Sequence, residues 1–366
     1  MIWLALPALA ATAYYLLALV AAARWKQPAP PRTSGGPPVS ILKPLHGRDP
    51  RLWEALLSHA RQDYPEFEIL FGVTDPNDPA LADVRRLRAE FPALHMEILV
   101  VSTDAPNAKA GVLAALARQA RYPVLLVNDS DITVDPGYLE AVTAPLEEPR
   151  VGLVTCLYRA EADSPAARLE ALGIATEFAP SVLVARLLGV AEFALGSTMA
   201  FRADLLRKIG GFEAIEDYIA DDYQLGLRIS RLGHRIRFAP VVVATDLGGG
   251  SWGEVWRHQL RWSRTIRVSR PGGYYGYVVT HATLWALVAF AAGQWWAGCL
   301  ALAVRIAAGV AVGAGILGDR RAARSFWLIP LRDLFGFAVW LAGSFGNRVA
   351  WRDQTLNLRA DGRIEP

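Results

Sequence analysis

The chain has 366 residues, a formal net charge of +3, 53% hydrophobic residues and 20% charged residues. That length fits one generous domain with added segments, or two small domains. The hydrophobic share is high for a soluble enzyme and the charged share excludes a chain made only of membrane spans, so the apolar excess must sit in discrete segments.

Met1 to Ala23 carries no charged side chain, and a helix of that length crosses a hydrocarbon core of about 30 Å. A cleaved signal peptide would place a basic stretch ahead of a shorter apolar run. Residues 1–24 therefore read as a transmembrane anchor. Arg24, Lys26 and Arg32 follow at once, which by the positive-inside tendency places what comes next in the cytoplasm. Residues 25–38, with the run "QPAPPRTSGGPP", read as a Pro/Gly-rich linker.

From 39 to 270 the chain reads as an α/β domain. "VSILK" (39–43), "FEILFGV" (67–73), "MEILVV" (96–101) and "PVLLV" (123–127) are strand-like, with helical patterns between them. Two of those helices open on Asp–Pro, at Asp49 and Asp78, which pairs a capping side chain with a proline at the first helical position. The alternation predicts a largely parallel sheet, whose ligands bind beyond the carboxyl ends of its strands. Cys156 and Cys299 lie in apolar surroundings with no CxxC or Cys/His cluster. This excludes a disulfide framework and a zinc site and predicts two buried thiols.

Residues 271–350 read as a second membrane region. Val278 to Leu317 holds one charged residue, Arg305, and is long enough for two spans turned around Gln294 to Trp296. A basic loop, "GDRRAAR" (318–324), follows. Phe326 to Val349 is interrupted by Arg332, Asp333 and Arg348, with only 14 residues between Asp333 and Arg348, short of the roughly 20 that a crossing needs. It reads as a third span or a re-entrant element. The arginines of the tail (351–366) favour the latter, since one more crossing would export them.

Four motifs fall near strand ends or ahead of the membrane region. Asp75 follows the second strand in "GVTDPNDP", where an Asp–Pro turn is the plain alternative. Asp129 and Asp131 follow the fourth strand in "NDSDI". Two carboxylates one residue apart repel each other and are hard oxygen ligands for Mg²⁺ or Mn²⁺, with Ser130 as a spacer. Asp221 and Asp222 stand in "YIADDYQLG"; one reads as a helix cap, and a carboxylate facing a substrate hydroxyl serves as a general base. "RHQLRWSRTIR" (257–267) mixes four arginines with Trp262. It suits an interfacial anchor or a diphosphate clamp, and a nucleic-acid patch is disfavoured beside a membrane segment in a chain of only +3. Lys109 in "NAKAG" either reaches the same phosphates or is an exposed lysine at a helix start. The apolar stretch 169–200 reads as core helix or as a groove for an acceptor lipid, with Glu177 and Glu192 as its unexplained charges. A P-loop, a Rossmann glycine string and G-x-S-x-G are all missing from the sequence.

Taken in order, Asp75, Asp129-Ser130-Asp131, Asp221-Asp222 and Arg261-Trp262 resemble the set D…DxD…(E/D)D…(Q/R)xxRW of family 2 inverting glycosyltransferases with the GT-A fold. "VSILKPLHGRDP", "RQDYP", "DPNDPAL", "VGLVTCLYR" and "YIADDY" are similar to the ceramide glucosyltransferase branch and its bacterial relatives, including glycosyltransferases of hopanoid biosynthesis. The resemblance covers roughly residues 39–270. It implies a mostly parallel α/β domain flanked by transmembrane helices, in an integral protein of a bacterial inner membrane with its catalytic domain cytoplasmic. It implies that Asp75 contacts the uracil–ribose part of a UDP-sugar, that Asp129 lies near ribose and diphosphate, and that Asp131, with Asp129 beside it, holds a divalent metal, Mg or Mn. By the same resemblance Asp222 is the base, and Lys109, His258, Arg261 and Trp262 belong to the nucleotide-sugar site. His258 stands where the wider family has Gln or Arg. The expected activity is transfer of glucose from UDP-glucose to a ceramide-type lipid hydroxyl. N-acetylglucosamine transfer to a hopanoid polyol is the alternative within enzymes, and a non-catalytic lipid- or nucleotide-sugar-binding membrane subunit is the alternative outside them. A processive polysaccharide synthase would need more spans than three or four.

Overall fold

The computed structural model describes residues 2–25, 35–351 and 354–365. Of the linker expected at 25–38, residues 26–34 lie outside the described residues. The chain divides into two compact units, one comprising Gln27–Tyr158, Ala191–Asp246 and Arg363–Pro366, the other Met1–Lys26, Arg159–Val190 and Leu247–Gly362.

The first unit is built on a sheet of β1 (Val39–Pro44), β2 (Phe67–Val73), β3 (His95–Val100), β4 (Val124–Val127), β5 (Ile132–Thr133), β6 (Val151–Glu161), β7 (Met199–Arg202) and β8 (Arg235–Asp246). Their order is β3-β2-β1-β4-β7-β6-β8-β5. β1 pairs in parallel with both β2 and β4, and β2 with β3, while β7 runs antiparallel to β4 and β6. The parallel pairs are joined through helices at Leu52–Ala60, Ala80–Glu90 and Ala108–Gln119, as parallel neighbours require. Both sheet faces are covered. Ile41, Ile69, Phe71 and Leu126 enter one apolar core, and Leu42, Leu70, Leu125 and Val127 the other. That is why "VLLV" reads as an unbroken apolar run rather than an alternating one. Gly72 permits the close approach of the third helix, since a Cβ there would meet Val112 Cγ1 at 2.4 Å.

Strand succession turns back between β1 and β4: the chain builds outward through β2 and β3, then returns to the other side of β1. Crevices beyond the carboxyl ends of such a switch point are where open α/β sheets bind ligands. Lys43 is the penultimate residue of β1, and Asn128 to Asp131 follow β4 at that place.

The second unit holds the apolar helices. Among the described residues three are long and apolar enough to cross a membrane: Trp3–Arg24, Trp295–Ile316 and Phe326–Gly343. Ala282–Ala291 has only ten residues, about 15 Å of helix. The stretch expected to form two full spans is thus one short helix and one long one, capped at Gln294 where the turn was expected. Small residues make the packing surfaces: Ala5 and Ala8 cluster with Ala286, Ala289, Ala297 and Ala301, and Ala11, Tyr15 and Ala18 with Val184, Ala282 and Ala308. Trp3, Trp295, Trp296 and Trp327 are exposed near helix ends, where membrane helices carry interfacial aromatics.

Of the three charges that interrupt the last apolar segment, Arg332 and Asp333 are buried and paired, while Arg348 is exposed at the start of the strand Arg348–Trp351. Arg305 Nη2 lies 2.7 Å from Asp333 Oδ1, and Thr283 Oγ1 donates to Asp333 Oδ2 at 2.8 Å. Arg332 Nη2 lies 3.0 Å from Glu177 Oε2 and also donates to Gln259 Oε1 at 3.0 Å. Glu177 is therefore accounted for as the partner of Arg332, while Glu192 is exposed in the other unit. Cys156 is buried as expected, but Cys299 is exposed on the apolar helix Trp295–Val310; its surroundings in sequence are apolar because that helix face is apolar, not because it is covered.

Candidate active site

The first unit brings four of the expected residues together. Asn128, fully buried behind β4, donates through Nδ2 to Ser197 O at 2.7 Å and to the Tyr138 hydroxyl at 2.9 Å. This fixes the turn that carries Asp129 and Asp131. Asp131 Oδ2 accepts from the Thr245 hydroxyl of β8, beside the pairing of Ile132 with Thr245. Burial, and then Asp129, pushes the Asp131 carboxyl up to about 6.

Asp221 and Asp222 form the first turn of the helix Asp221–Arg231, whose cap position is Ala220. Neither acts as the side-chain cap; both sit where the helix dipole favours negative charge. Asp222 Oδ1 accepts from Tyr223 N at 2.7 Å and Oδ2 from Gly196 N at 3.0 Å. Its carboxyl is also pushed up to about 6, by burial and then by Asp221. Gly196 stands between the two motifs. A Cβ built there would lie 3.2 Å from Asp129 Oδ2 and 3.5 Å from Asp222 Oδ2, so both carboxylates face the same bare stretch of backbone.

Lys109 joins them from the start of the helix Ala108–Gln119. Its Nζ donates to Asp129 Oδ1 at 2.7 Å and lies 3.2 Å from Asp221 Oδ2, and its side chain is 11% exposed. Burial would lower its pKa, but Asp129 and Asp221 outweigh burial and raise it, so it stays cationic. Asp75 is exposed in the turn after β2, its Oδ1 accepting from Asn77 N at 2.8 Å.

The donor set suits a hard divalent cation. Asp129 and Asp131 offer two carboxylates whose mutual repulsion raises one of them, which a bound cation would relieve. Among the described residues no group of three or more His, Cys, Asp or Glu is arranged as a metal cage, and Mg²⁺-type sites commonly use one or two carboxylates completed by substrate phosphates and water.

His258, Arg261 and Trp262 lie in the second unit, on the helix Trp252–Ser269 that opens with a Ser251–Glu254 capping box. His258 Nδ1 sits 2.6 Å from Glu170 Oε1, which also accepts from Gln259 Nε2 at 2.8 Å. The His258 ring stands 4.7 Å from that of Trp262, and the Arg261 guanidinium 6.0 Å from the Trp351 ring. Arg264 and Arg267 are engaged by backbone carbonyls between Ser344 and Arg348.

The family model of Glycosyl transferase family 21 matches residues 3–364. The chain belongs to that family. Ceramide glucosyltransferase 1 of Caenorhabditis elegans is 31% identical over 190 residues, 51% of this chain and 41% of that protein. Probable glycosyltransferase YdaM of Bacillus subtilis is 24% identical over 62% of this chain and 55% of that protein. The chain thus spans about half the length of these curated relatives. The solved mannosyltransferase PcManGT from Pyrobaculum calidifontis, in complex with GDP-Man and Mn2+, matches with a TM-score of 0.56 at 23% identity, covering 93% of this chain and 97% of that one. The fold is of the GT-A type, as the resemblance implied.

Within this family 21 chain, three polar groups of the site went unread in the sequence. Lys43 is fully buried at the end of β1, its Nζ donating to Asp129 O at 2.8 Å. Burial lowers its pKa to about 7 against the raising effect of Asp131, Asp129 and Asp49. A single charge closing the apolar run "VSILK" was the available signal. Asp49 does not cap its helix, whose cap position is Arg51. Its carboxylate instead accepts from Ser130 Oγ at 2.7 Å, so Ser130 ties down a third acid rather than acting as a spacer. Glu170, which orients His258, lies 88 residues away in sequence and left no local signal.

Proposed function

We propose that this family 21 chain transfers a sugar, glucose in the first instance, from a UDP-sugar to the hydroxyl of a membrane lipid of the ceramide type, with inversion. The observation that carries this reading is the convergence of Asp129 and Asp222 on Gly196. A phosphate-side carboxylate and a candidate base thus approach one another across a residue without a side chain, as a donor phosphate and an acceptor hydroxyl would require. In this reading Asp222 takes the proton of the acceptor hydroxyl as its oxygen bonds to the anomeric carbon, and the bond from that carbon to the diphosphate oxygen breaks with UDP leaving. An α-linked donor then yields a β-linked product. Asp222 is suited to the role because a carboxyl titrating near 6 is ionised at neutral pH yet more basic than an exposed one. Lys109 holds Asp129 and Asp221 in place. Asp75 would meet the uracil–ribose part of the donor.

Asp131 and Asp129 would hold Mn²⁺ or Mg²⁺; when bound, such a cation neutralises charge on the departing diphosphate. The solved PcManGT complex with Mn2+ supports this at the level of fold, and the ceramide glucosyltransferases among the relatives support the choice of acceptor. The chain leaves the first unit after Asp246 and rejoins it at Arg363, so the segments between cross the membrane an even number of times. We place the unit on the cytoplasmic face of a bacterial inner membrane, because Arg24, Lys26 and Arg32 follow the first apolar segment.

The test is transfer by purified protein in lipid nanodiscs, with UDP-glucose or UDP-N-acetylglucosamine against ceramide or a hopanoid polyol, read by mass spectrometry. A hexose-shifted ceramide is expected. An N-acetylhexosamine-shifted hopanoid would replace both substrates in the reading, and UDP binding without any product would replace the enzyme by a binding subunit.

A further inference from the structure

Residues 216–220, just before the Asp221–Asp222 pair, form neither helix nor named strand. Yet three successive carbonyls there are each taken by a donor from elsewhere in the same unit. Asn107 N donates to Glu216 O at 2.9 Å, and Asn107 Nδ2 to Tyr218 O at 2.8 Å. Asn107 is also the cap of the helix that carries Lys109, its Oδ1 accepting from Ala110 N. The carbonyl between, Asp217 O, accepts from Ile364 N at 2.7 Å. Thus the last residues of the chain return to the segment that introduces the candidate base.

The return is side-chain based as well. Arg363 Nε donates to the Tyr218 hydroxyl at 3.2 Å, with its guanidinium 5.4 Å from the Tyr218 ring centroid. Tyr218 and Arg363 form an isolated antiparallel bridge. Ile364 is buried, as are Ile219 and Ala220. A solvated basic tail would leave Ile364 exposed and the Asp217 carbonyl to water. Instead, Asn107 holds the segment from the Lys109 helix and the tail holds it at the residue between. The register reached at Asp221 is the one that meets Lys109, and the next residue, Asp222, meets Gly196 N.

We infer that Arg363 and Ile364 are positioning residues: the C-terminal tail is a strap that fixes segment 216–220 and so sets the placement of Asp222. This rests on the reading of Asp222 as the base. A strap of this kind acts on rate rather than donor affinity, because Asp75 and Asp129 sit on other turns, while a base displaced by about 1 Å costs on the order of 100-fold in rate.

The experiment compares the full chain with a chain ending at Gly362 and with Ile364→Ala, in nanodiscs with UDP-glucose and ceramide. Hydrogen exchange is followed at 219–223 and, as a reference, along Ala108–Gln119. Both variants are expected to speed exchange at 219–223 about tenfold and to lower kcat about tenfold, with donor KM within about twofold of the full chain. Arg363→Lys, which keeps the charge and a donor, is expected to retain most of the rate. Unchanged exchange at 219–223 would overturn the proposal, as would an unchanged kcat. So would a parallel loss of donor KM and of protection in the Lys109 helix, which is general destabilisation. If the shortened chain fails to fold, Ile364→Ala alone decides. Asp222→Asn is run alongside: full transfer by that variant would remove the base assignment, while the exchange result still judges the strap by itself.

Discussion

Replacing Lys109 by methionine keeps the length of the side chain and deletes the one charge shared by both acidic motifs. Its Nζ lies 2.7 Å from Asp129 Oδ1 and 3.2 Å from Asp221 Oδ2, with side-chain exposures of 11% for Lys109, 43% for Asp129 and 9% for Asp221. Breaking a buried pair by removing one partner costs about 3–5 kcal/mol. The half-exposed Asp129 arm contributes less than about 1 kcal/mol after screening, so the Asp221 arm carries most of a loss of about 3 kcal/mol. For a domain of this size that is roughly 6–12 °C in apparent Tm. Lys109 also holds down the Asp222 carboxyl, against the raising effects of burial, Asp221 and Asp129. A protonated Asp222 accepts no proton, so with Asp222 as the proposed base the rate of the native enzyme is expected to fall as pH drops through about 6, and in Lys109→Met that fall is expected to move to higher pH. The assay is thermal unfolding of the purified protein together with kcat from pH 5 to 8 at saturating Mn²⁺. Lys109→Met with Asp221→Asn, which removes both partners, is expected to recover more than half of the lost Tm. An apparent Tm within 2 °C of the native value (about 1 kcal/mol or less) and an unmoved acid limb would refute the reasoning.

Gly196→Ala places a methyl group 3.2 Å from Asp129 Oδ2 and 3.5 Å from Asp222 Oδ2; kcat is expected to fall about tenfold with little change in Tm, and a native rate would show that the two carboxylates do not share a reaction space. Asp333→Asn leaves the fully buried Arg305 uncompensated, a loss of about 3–5 kcal/mol, seen as aggregation on size exclusion. Arg305→Leu with Asp333→Leu is expected to restore the monodisperse protein, and a well-behaved Asp333→Asn single variant would contradict the account. Glu365→Cys and Asp104→Cys, in a Cys299→Ser background, are expected to react with a membrane-impermeant maleimide from the same side of sealed vesicles. Labelling from opposite sides would contradict the even number of crossings.

The first four strands were legible because they are apolar runs buried on both faces: "FEILFGV" is β2 at both ends, and "PVLLV" differs from β4 only by its proline, whereas β5 to β8 were not read from the sequence. Asp129, Asp131 and Asp222 were legible because charge at the end of such a run, or doubled at a helix start, demands a compensating partner. The partners themselves were not. Lys109 was ambiguous because exposure is a tertiary property, and the Asp129–Lys109–Asp221 bridge joins residues 20 and 112 positions apart. Asp49 followed the local rule for a helix cap, but the hydroxyl of Ser130 across the sheet took its carboxylate. Arg332 and Asp333 made the last apolar segment look broken, since a sequence counts charges and cannot show that Glu177 and Arg305 neutralise them. The tail was read only for the charge of its arginines, while the contact that seats it is made by the backbone and side chain of Ile364.

The most direct test of the central claim is sugar transfer by Asp222→Asn against the native protein, in nanodiscs with ceramide, UDP-glucose and Mn²⁺, with UDP affinity measured in parallel. The account predicts a product rate lowered by about 100-fold or more, with UDP affinity within about threefold of native, a shift worth less than about 1 kcal/mol. Native product rates from Asp222→Asn would contradict it.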